Sequence, residues 1–243
     1  MCDSQTHAGE LTEALSNFGR DGFVVFENAI ELGFISELKE ALHKTERELN
    51  IAGRDTDFKG HQTIRIYNRL AHGEAYWKVP THKAVLPFAA ALLASELQLS
   101  SLSAITLWRG QGTQPLHADD QPIPVAKPHQ PATPNAVWAI SDLREDNGAD
   151  TNRTDERRFS ISNYYCAGFM RQQENHQLGI AVDITKQFPR RLQEPCGYAV
   201  YTGMYGHLDN EDPITVLGRR SETKMVWQQS YADMFEKQRQ AEG

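Results

Sequence analysis

Between Leu102 and Tyr165 the chain carries three extended runs and no helical one. Leu102 to Trp108 is mostly apolar, Asn135 to Ile140 is a short second run, and Phe159 to Tyr165 alternates. Short apolar or alternating runs bounded by Gly, Pro and polar residues are the pattern of strands. Five prolines from Pro122 to Pro134 keep that stretch out of any central strand, because proline cannot donate to a ladder. The first hundred residues read differently. Leu11, Leu15 and Phe18 recur at helical spacing up to Gly19, and Asp21-Gly22 then precedes an expected strand, Phe23-Val24-Val25-Phe26. A second helix is expected from about Phe34 to Leu49, burying Phe34, Ile35, Leu38, Leu42 and Leu49 and turning its charged residues, with His43 among them, to water. Thr63 to Tyr67 alternates as a strand, and a third helix is expected over about 83–97.

Helices first, strands afterwards, with Gly- and Pro-rich connections, predict an α+β fold. In it an antiparallel β-sandwich or jelly roll sits behind helical packing. The division expected is one domain over 1–243: mainly helical support to about residue 100, a jelly-roll core over about 101–220, and a polar, helical tail over about 221–243. A hydrophobic content of 40% is ample for a core. No apolar run approaches the roughly 20 residues of a membrane helix, and Met1 to Gln5 has neither the basic nor the apolar region of a secretory signal. Cys2, Cys166 and Cys196 are odd in number and widely spaced, which argues against a disulfide framework and for the reducing cytoplasm. A net charge of -7 without any basic block argues against nucleic acid and leaves a small molecule or a protein as partner.

Pro115-Leu116-His117-Ala118-Asp119 follows the Leu102 to Trp108 run and the flexible Gly110-Gln111-Gly112. An imidazole and a carboxylate two residues apart on an extended chain point to one face. One Fe(II) can be held by both, as two arms of a 2-His-1-carboxylate site with open positions. The triplet recurs at His207-Leu208-Asp209, so standing alone it reads first as a polar turn; the setting after a strand favours His117.

Several stretches in the same order resemble the phytanoyl-CoA dioxygenase family of Fe(II)/2-oxoglutarate-dependent oxygenases. They are Asp21-Gly22-Phe23-Val24-Val25, Gln114 to Asp120, Trp138-Ala139-Ile140-Ser141-Asp142 leading to Glu145-Asp146-Asn147-Gly148-Ala149, and Asn152 to Arg158 ahead of a strand. Tyr165 to Phe169 and Arg171 to Asn175 look like a bacterial branch of that family. The resemblance implies a double-stranded β-helix (jelly roll, cupin-like) with N-terminal and flanking helices. It also implies oxidation of a small-molecule metabolite by O2, with Fe(II) as cofactor and 2-oxoglutarate as cosubstrate. Carried over by position, His117 and Asp119 match the first two iron ligands, Arg158 the arginine that grips the far carboxylate of 2-oxoglutarate, and Trp138 a tryptophan lining the cosubstrate pocket. Read without the resemblance, Arg158 is an ordinary strand-edge cation and Trp138 a core residue. Gln114 and Gln121 flank the motif as orienting groups or as neutral rim. No basic cluster for CoA is present, so the resemblance does not extend to an acyl-CoA substrate.

The chain departs from the family at one place. A turn, further strands and a strand bearing the second iron histidine are expected before Asn152, yet Asn147-Gly148-Ala149 runs straight into Asp150-Thr151-Asn152. An internal deletion near Ala149-Asp150 is the economical reading, and it implies an incomplete barrel. Counting back from Arg158, Asn147 stands at the histidine's position, and an amide oxygen is a poor replacement for imidazole. Three readings stay open: an oxygenase completed by His176 or His207; a non-catalytic relative that self-associates or pairs with a complete paralogue; or a truncated variant of an active parent. A zinc hydrolase built on the same His-x-Asp is a further class, short of ligands.

Overall fold

The structure is a computed structural model that describes residues 3–50, 54–56, 60–94, 96–109, 117, 119–142 and 152–230. Gln114, Asn147 and the Ala149-Asp150 junction lie outside the described residues, as does the tail beyond residue 230.

Two long helices come first, α1 (Asp3–Asp21) and α2 (Leu32–Leu49). Strands β1 (Arg54–Thr56) and β2 (Gly60–Ile66) follow, then helix α3 (Leu86–Leu93) and the long strand β3 (Gln98–Leu107). Strands β4 (Asn135–Ala139) and β5 (Arg158–Cys166) complete one five-stranded sheet of order β1-β2-β3-β5-β4, every pairing antiparallel. After β5 come three single-turn helices, α4 (His176–Gly179), α5 (Val182–Thr185) and α6 (Arg190–Gln193). The chain leaves β3, reaches β4 through the proline-rich stretch, and returns as β5 into the slot between them.

The sheet has two unlike faces because side chains alternate along each strand. Ile64 and Ile66 of β2, Leu102 and Ala104 of β3, Trp138 of β4, and Phe159 and Ile161 of β5 share one face and are buried. Helix α2 covers this face with Leu38 and Leu42, one helical turn apart and 0% and 1% exposed. Each such leucine contributes roughly 2–3 kcal/mol through burial. The other face carries Arg65, Ser103, Ile105, Ser160, Ser162, Tyr164 and Arg158.

Among the described residues there is one sheet, and the second sheet that a jelly roll would stack on it is not among them. Phe23-Val24-Val25-Phe26 is not a strand. It follows α1 where no described sheet edge receives its ladder hydrogen bonds; Phe26 packs edge-on against Phe88 of α3, while Phe23 and Val25 are 65% and 70% exposed. Helix α3 is shorter than the expected 83–97 because Pro87 sets its start and Ala94 leaves helical geometry at φ 71°. His43 is only half-exposed; its ring packs edge-on against Phe159.

Where β2 ends, the edge of β3 is closed by the segment after β5. Glu174 donates its amide to the Ser100 carbonyl, and its carboxylate accepts the amides of Leu102 (2.8 Å) and Asn68 (2.6 Å). Burial pushes the Glu174 carboxyl up, and these two amides oppose the rise. Two residues on, His176 is 1% exposed, and burial lowers its pKa to about 4. Glu174→Ala strands two amides and is expected to cost roughly 2–4 kcal/mol in urea unfolding; an unchanged midpoint would contradict the clasp. For His176 the folded pKa lies below the unfolded value, so its contribution is complete above about pH 6.5 and is lost as pH falls towards 4, about 3 kcal/mol in all. His176→Gln is expected to flatten the stability profile in that window.

Candidate functional site

Arg158 reaches its place through a turn that Asn152 organises. The buried Asn152 amide donates to the carbonyls of Leu107 (3.2 Å) and Glu156 (2.7 Å), and its oxygen accepts the Thr154 amide (3.1 Å) and hydroxyl (2.8 Å). Asparagine in such a loop mimics a backbone turn. The turn delivers β5 with Arg158 opposite Leu107. The two arginines there divide between the faces. Arg157 turns to the helices, where it bonds Glu46 of α2 at 2.8 Å and lies over the Trp108 ring. Arg158 turns to the polar face, where burial lowers its pKa from a value high enough that it stays charged.

Trp138 pairs with Ile161, in the phase opposite to Arg158, and so lies on the other side of the sheet. It is 3% exposed and packs edge-on against Phe34 and His82. The structure does not bring it to Arg158.

His117 and Asp119 stand together. His117 Nε2 is 3.4 Å from Asp119 Oδ1, with side chains 30% and 45% exposed. The Asp119 carboxylate accepts a hydrogen bond from the Tyr164 phenol, which burial, and then this carboxylate, push to a higher pKa. Tyr164 belongs to the same face as Arg158, so the His-x-Asp turn and the arginine share that face. They lie at its two ends: six residues of β5 separate Tyr164 from Arg158, about 20 Å of strand. Gln121 is exposed beside the turn.

Neither candidate for a third ligand joins the pair. His176 is in the core described above, and His207 packs edge-on against Trp227 while its Nδ1 accepts the Asn210 amide. Among the described residues no three His, Cys, Asp or Glu side chains converge where a metal ion could sit. The donor chemistry of His117 and Asp119, an imidazole and a carboxylate, suits Fe(II), and among the described residues the number of donors placed there is two.

Two residues of this face, Tyr164 and Arg65, were missed by sequence reasoning. Arg65 pairs with Ile105, which pairs with Ser160, placing it two strands from β5 and about 12 Å from Arg158 at the Cα atoms. Its Nε is buried without a hydrogen-bond partner among the described residues. The signal was present in Thr63-Ile64-Arg65-Ile66-Tyr67, whose alternation sets Arg65 opposite the two isoleucines.

The phytanoyl-CoA dioxygenase (PhyH) family model matches residues 18–150, more than half of the 243 residues. The match runs through His117 and Asp119 and stops at Asp150, beside the expected junction. Among solved structures, the non-heme α-ketoglutarate-dependent epimerase SnoN from nogalamycin biosynthesis is similar, with 15% identity over 66% of this chain and 83% of that chain and a TM-score of 0.51. The non-heme α-ketoglutarate-dependent carbocyclase SnoK from the same biosynthesis is similar, with 11% identity over 64% of this chain and 83% of that chain and a TM-score of 0.54. At these identities the likeness is one of fold. On the family match, the chain belongs to the phytanoyl-CoA dioxygenase family.

Proposed function

We propose that this chain is an Fe(II)/2-oxoglutarate-dependent oxygenase that hydroxylates or otherwise oxidises a small-molecule metabolite in the cytoplasm. The observation that carries the reading is the family match through the His117-x-Asp119 turn, whose carboxylate is tied to the sheet face that bears Arg158. The sheet is read as the larger half of an incomplete double-stranded β-helix, in one domain with its helices. SnoN and SnoK, described as α-ketoglutarate-dependent enzymes, support the choice of cosubstrate.

Iron with 2-oxoglutarate supplies the oxidising power in such an enzyme, reducing O2 as the oxoacid is decarboxylated to succinate. The chain's own share is binding and placement. His117 and Asp119 offer a nitrogen and a carboxylate oxygen on one turn. Tyr164, donating to Asp119, fixes the orientation of that carboxylate and steadies the ligand. Arg158 presents a planar guanidinium that can meet a carboxylate with two parallel hydrogen bonds, and Arg65 adds a second positive charge across the face. Ile105 and Leu107, between the two arginines, exclude water from that meeting and strengthen it.

A second reading, a non-catalytic family member that binds a partner or a ligand, is favoured by two specific observations. Among the described residues two metal donors stand at the turn instead of three, and about 20 Å of strand separates it from Arg158. Such a protein would self-associate or pair with a complete paralogue, and light scattering coupled to size-exclusion chromatography would show assemblies larger than 27.4 kDa.

Succinate formation from 2-oxoglutarate under air separates the two. On the oxygenase reading, His117→Ala and Asp119→Ala abolish it, and Arg158→Ala raises the 2-oxoglutarate concentration needed by roughly 10- to 150-fold, the worth of one charge-assisted contact. Turnover that survives loss of either His117 or Asp119 would sink the assignment.

A further inference from the structure

Strand β4 ends the sheet, and among the described residues its outer edge has no neighbouring strand. The phase of its ladder fixes what that edge presents. Ile140 donates its amide to the Phe159 carbonyl (3.1 Å), and the Pro134 carbonyl accepts the Tyr165 amide (3.0 Å). The even-numbered residues of this stretch therefore turn their main-chain groups to β5. Asn135, Val137 and Ala139 turn theirs outward, because successive residues of a strand bond to opposite sides. Among the described residues no strand or loop receives them. Val137 is 63% exposed and Ala139 is also exposed, which leaves the edge accessible.

Exposed sheet edges are ordinarily guarded by a charge, a proline or a bulge. Strand β4, Asn-Ala-Val-Trp-Ala, has none of the three, and its pairing with β5 keeps one register throughout. Pro134 is no guard for the outer edge, since its missing N–H falls in the phase that faces β5. The opposite edge of the sheet, β1, differs on each count: it is three residues long, includes Arg54 and Asp55, and shifts register against β2.

We propose that the outer edge of β4 is a homodimer interface, in which a second copy of this chain pairs its own β4 antiparallel about Val137. That register sets Val137 against Val137 and Asn135 against Ala139. Each such pair exchanges two main-chain hydrogen bonds, about six in all. Residues directly opposite share a face, so the two exposed valines meet on the polar face beside Ser162 and no like charges are opposed. A second copy fits better than an unrelated strand because this register is self-complementary and because it closes. Once two β4 edges are joined, the edges left are those of β1, short and charged, and the assembly stops at two. The two sheets become one, with both polar faces on the same side. The interface does not use His117, Asp119 or Arg158, so it goes beyond the oxygenase reading and does not rest on it.

The test is size-exclusion chromatography with light scattering on the full chain. The expected mass is twice 27.4 kDa. Val137→Lys and Val137→Glu each set like charges against one another and should weaken the dimer at least roughly 10-fold, with the circular dichroism spectrum unchanged. An equimolar mixture of the two variants sets opposite charges together and should restore dimers, an outcome that requires residue 137 to face itself. A wild type that stays at 27.4 kDa up to millimolar concentration would overturn the inference. So would variants that dimerise as the wild type does, or a mixture that remains monomeric. Succinate formation reads the His-x-Asp turn and not this edge, so the oxygenase reading stands or falls separately.

Discussion

β5 hydrogen-bonds on both sides, to β3 from Leu107↔Arg158 through Gln98↔Cys166 and to β4 from Ala139↔Ser160 through Asn135↔Tyr164. That pairing fixes which side chains share a face across the sheet, since a slip of one residue would exchange the two faces of β5 completely. Phe159 and Ile161 would then meet the serines of β3, and Arg158 would be driven among Leu38, Leu42 and Trp138. The burial of Ile161 at 0% exposure between α2 and β3 therefore holds Arg158 on the polar face as firmly as any contact of its own. The four bonds of Asn152 act at the same point, because they set where the strand begins.

A sheet closed on one face by helices can tolerate loss of a facing sheet only if its other face can meet water or a ligand. Here that face is made of four serines, two arginines and a tyrosine around Ile105 and Leu107. Serines at 101, 103, 160 and 162 are small and buried, and Ser101 and Ser162 bond to Gln173 and Asn135, while Val137 opposite Ser162 is 63% exposed on the same face. Most of the apolar core lies on the helix side, so the described fold does not depend on an apolar layer against the polar face. The remaining edge problem, at the part of β3 that β2 does not reach, is met by Glu174.

Much of this was legible in the sequence. The three extended runs became β3, β4 and β5 within a few residues, and the spacing of Leu38 and Leu42 identified the buried side of α2. Phe23 to Phe26 misled because an apolar run is a strand only where a partner waits, and partners are non-local. That no second sheet stands among the described residues was foreshadowed only by a gap against a family pattern. For the site, His117, Asp119 and Arg158 were legible as residues, but the 20 Å between turn and arginine was not, since it depends on the Tyr164 contact. Trp138 shows the limit of carrying roles by position: its phase with Ile161 puts it in the core. Arg65 was overlooked as an unremarked cation in a strand.

The central claim is that the polar face with its His-x-Asp turn is an iron and 2-oxoglutarate site although no facing sheet stands among the described residues. An anaerobic titration with Fe(II) followed by 2-oxoglutarate, watched for the visible charge-transfer band of the chelate, tests it most directly. The account predicts a band that saturates at one equivalent of each and is absent in His117→Ala. A protein that is folded by circular dichroism yet forms no band at millimolar 2-oxoglutarate would contradict it, and the face would then belong to a binding protein.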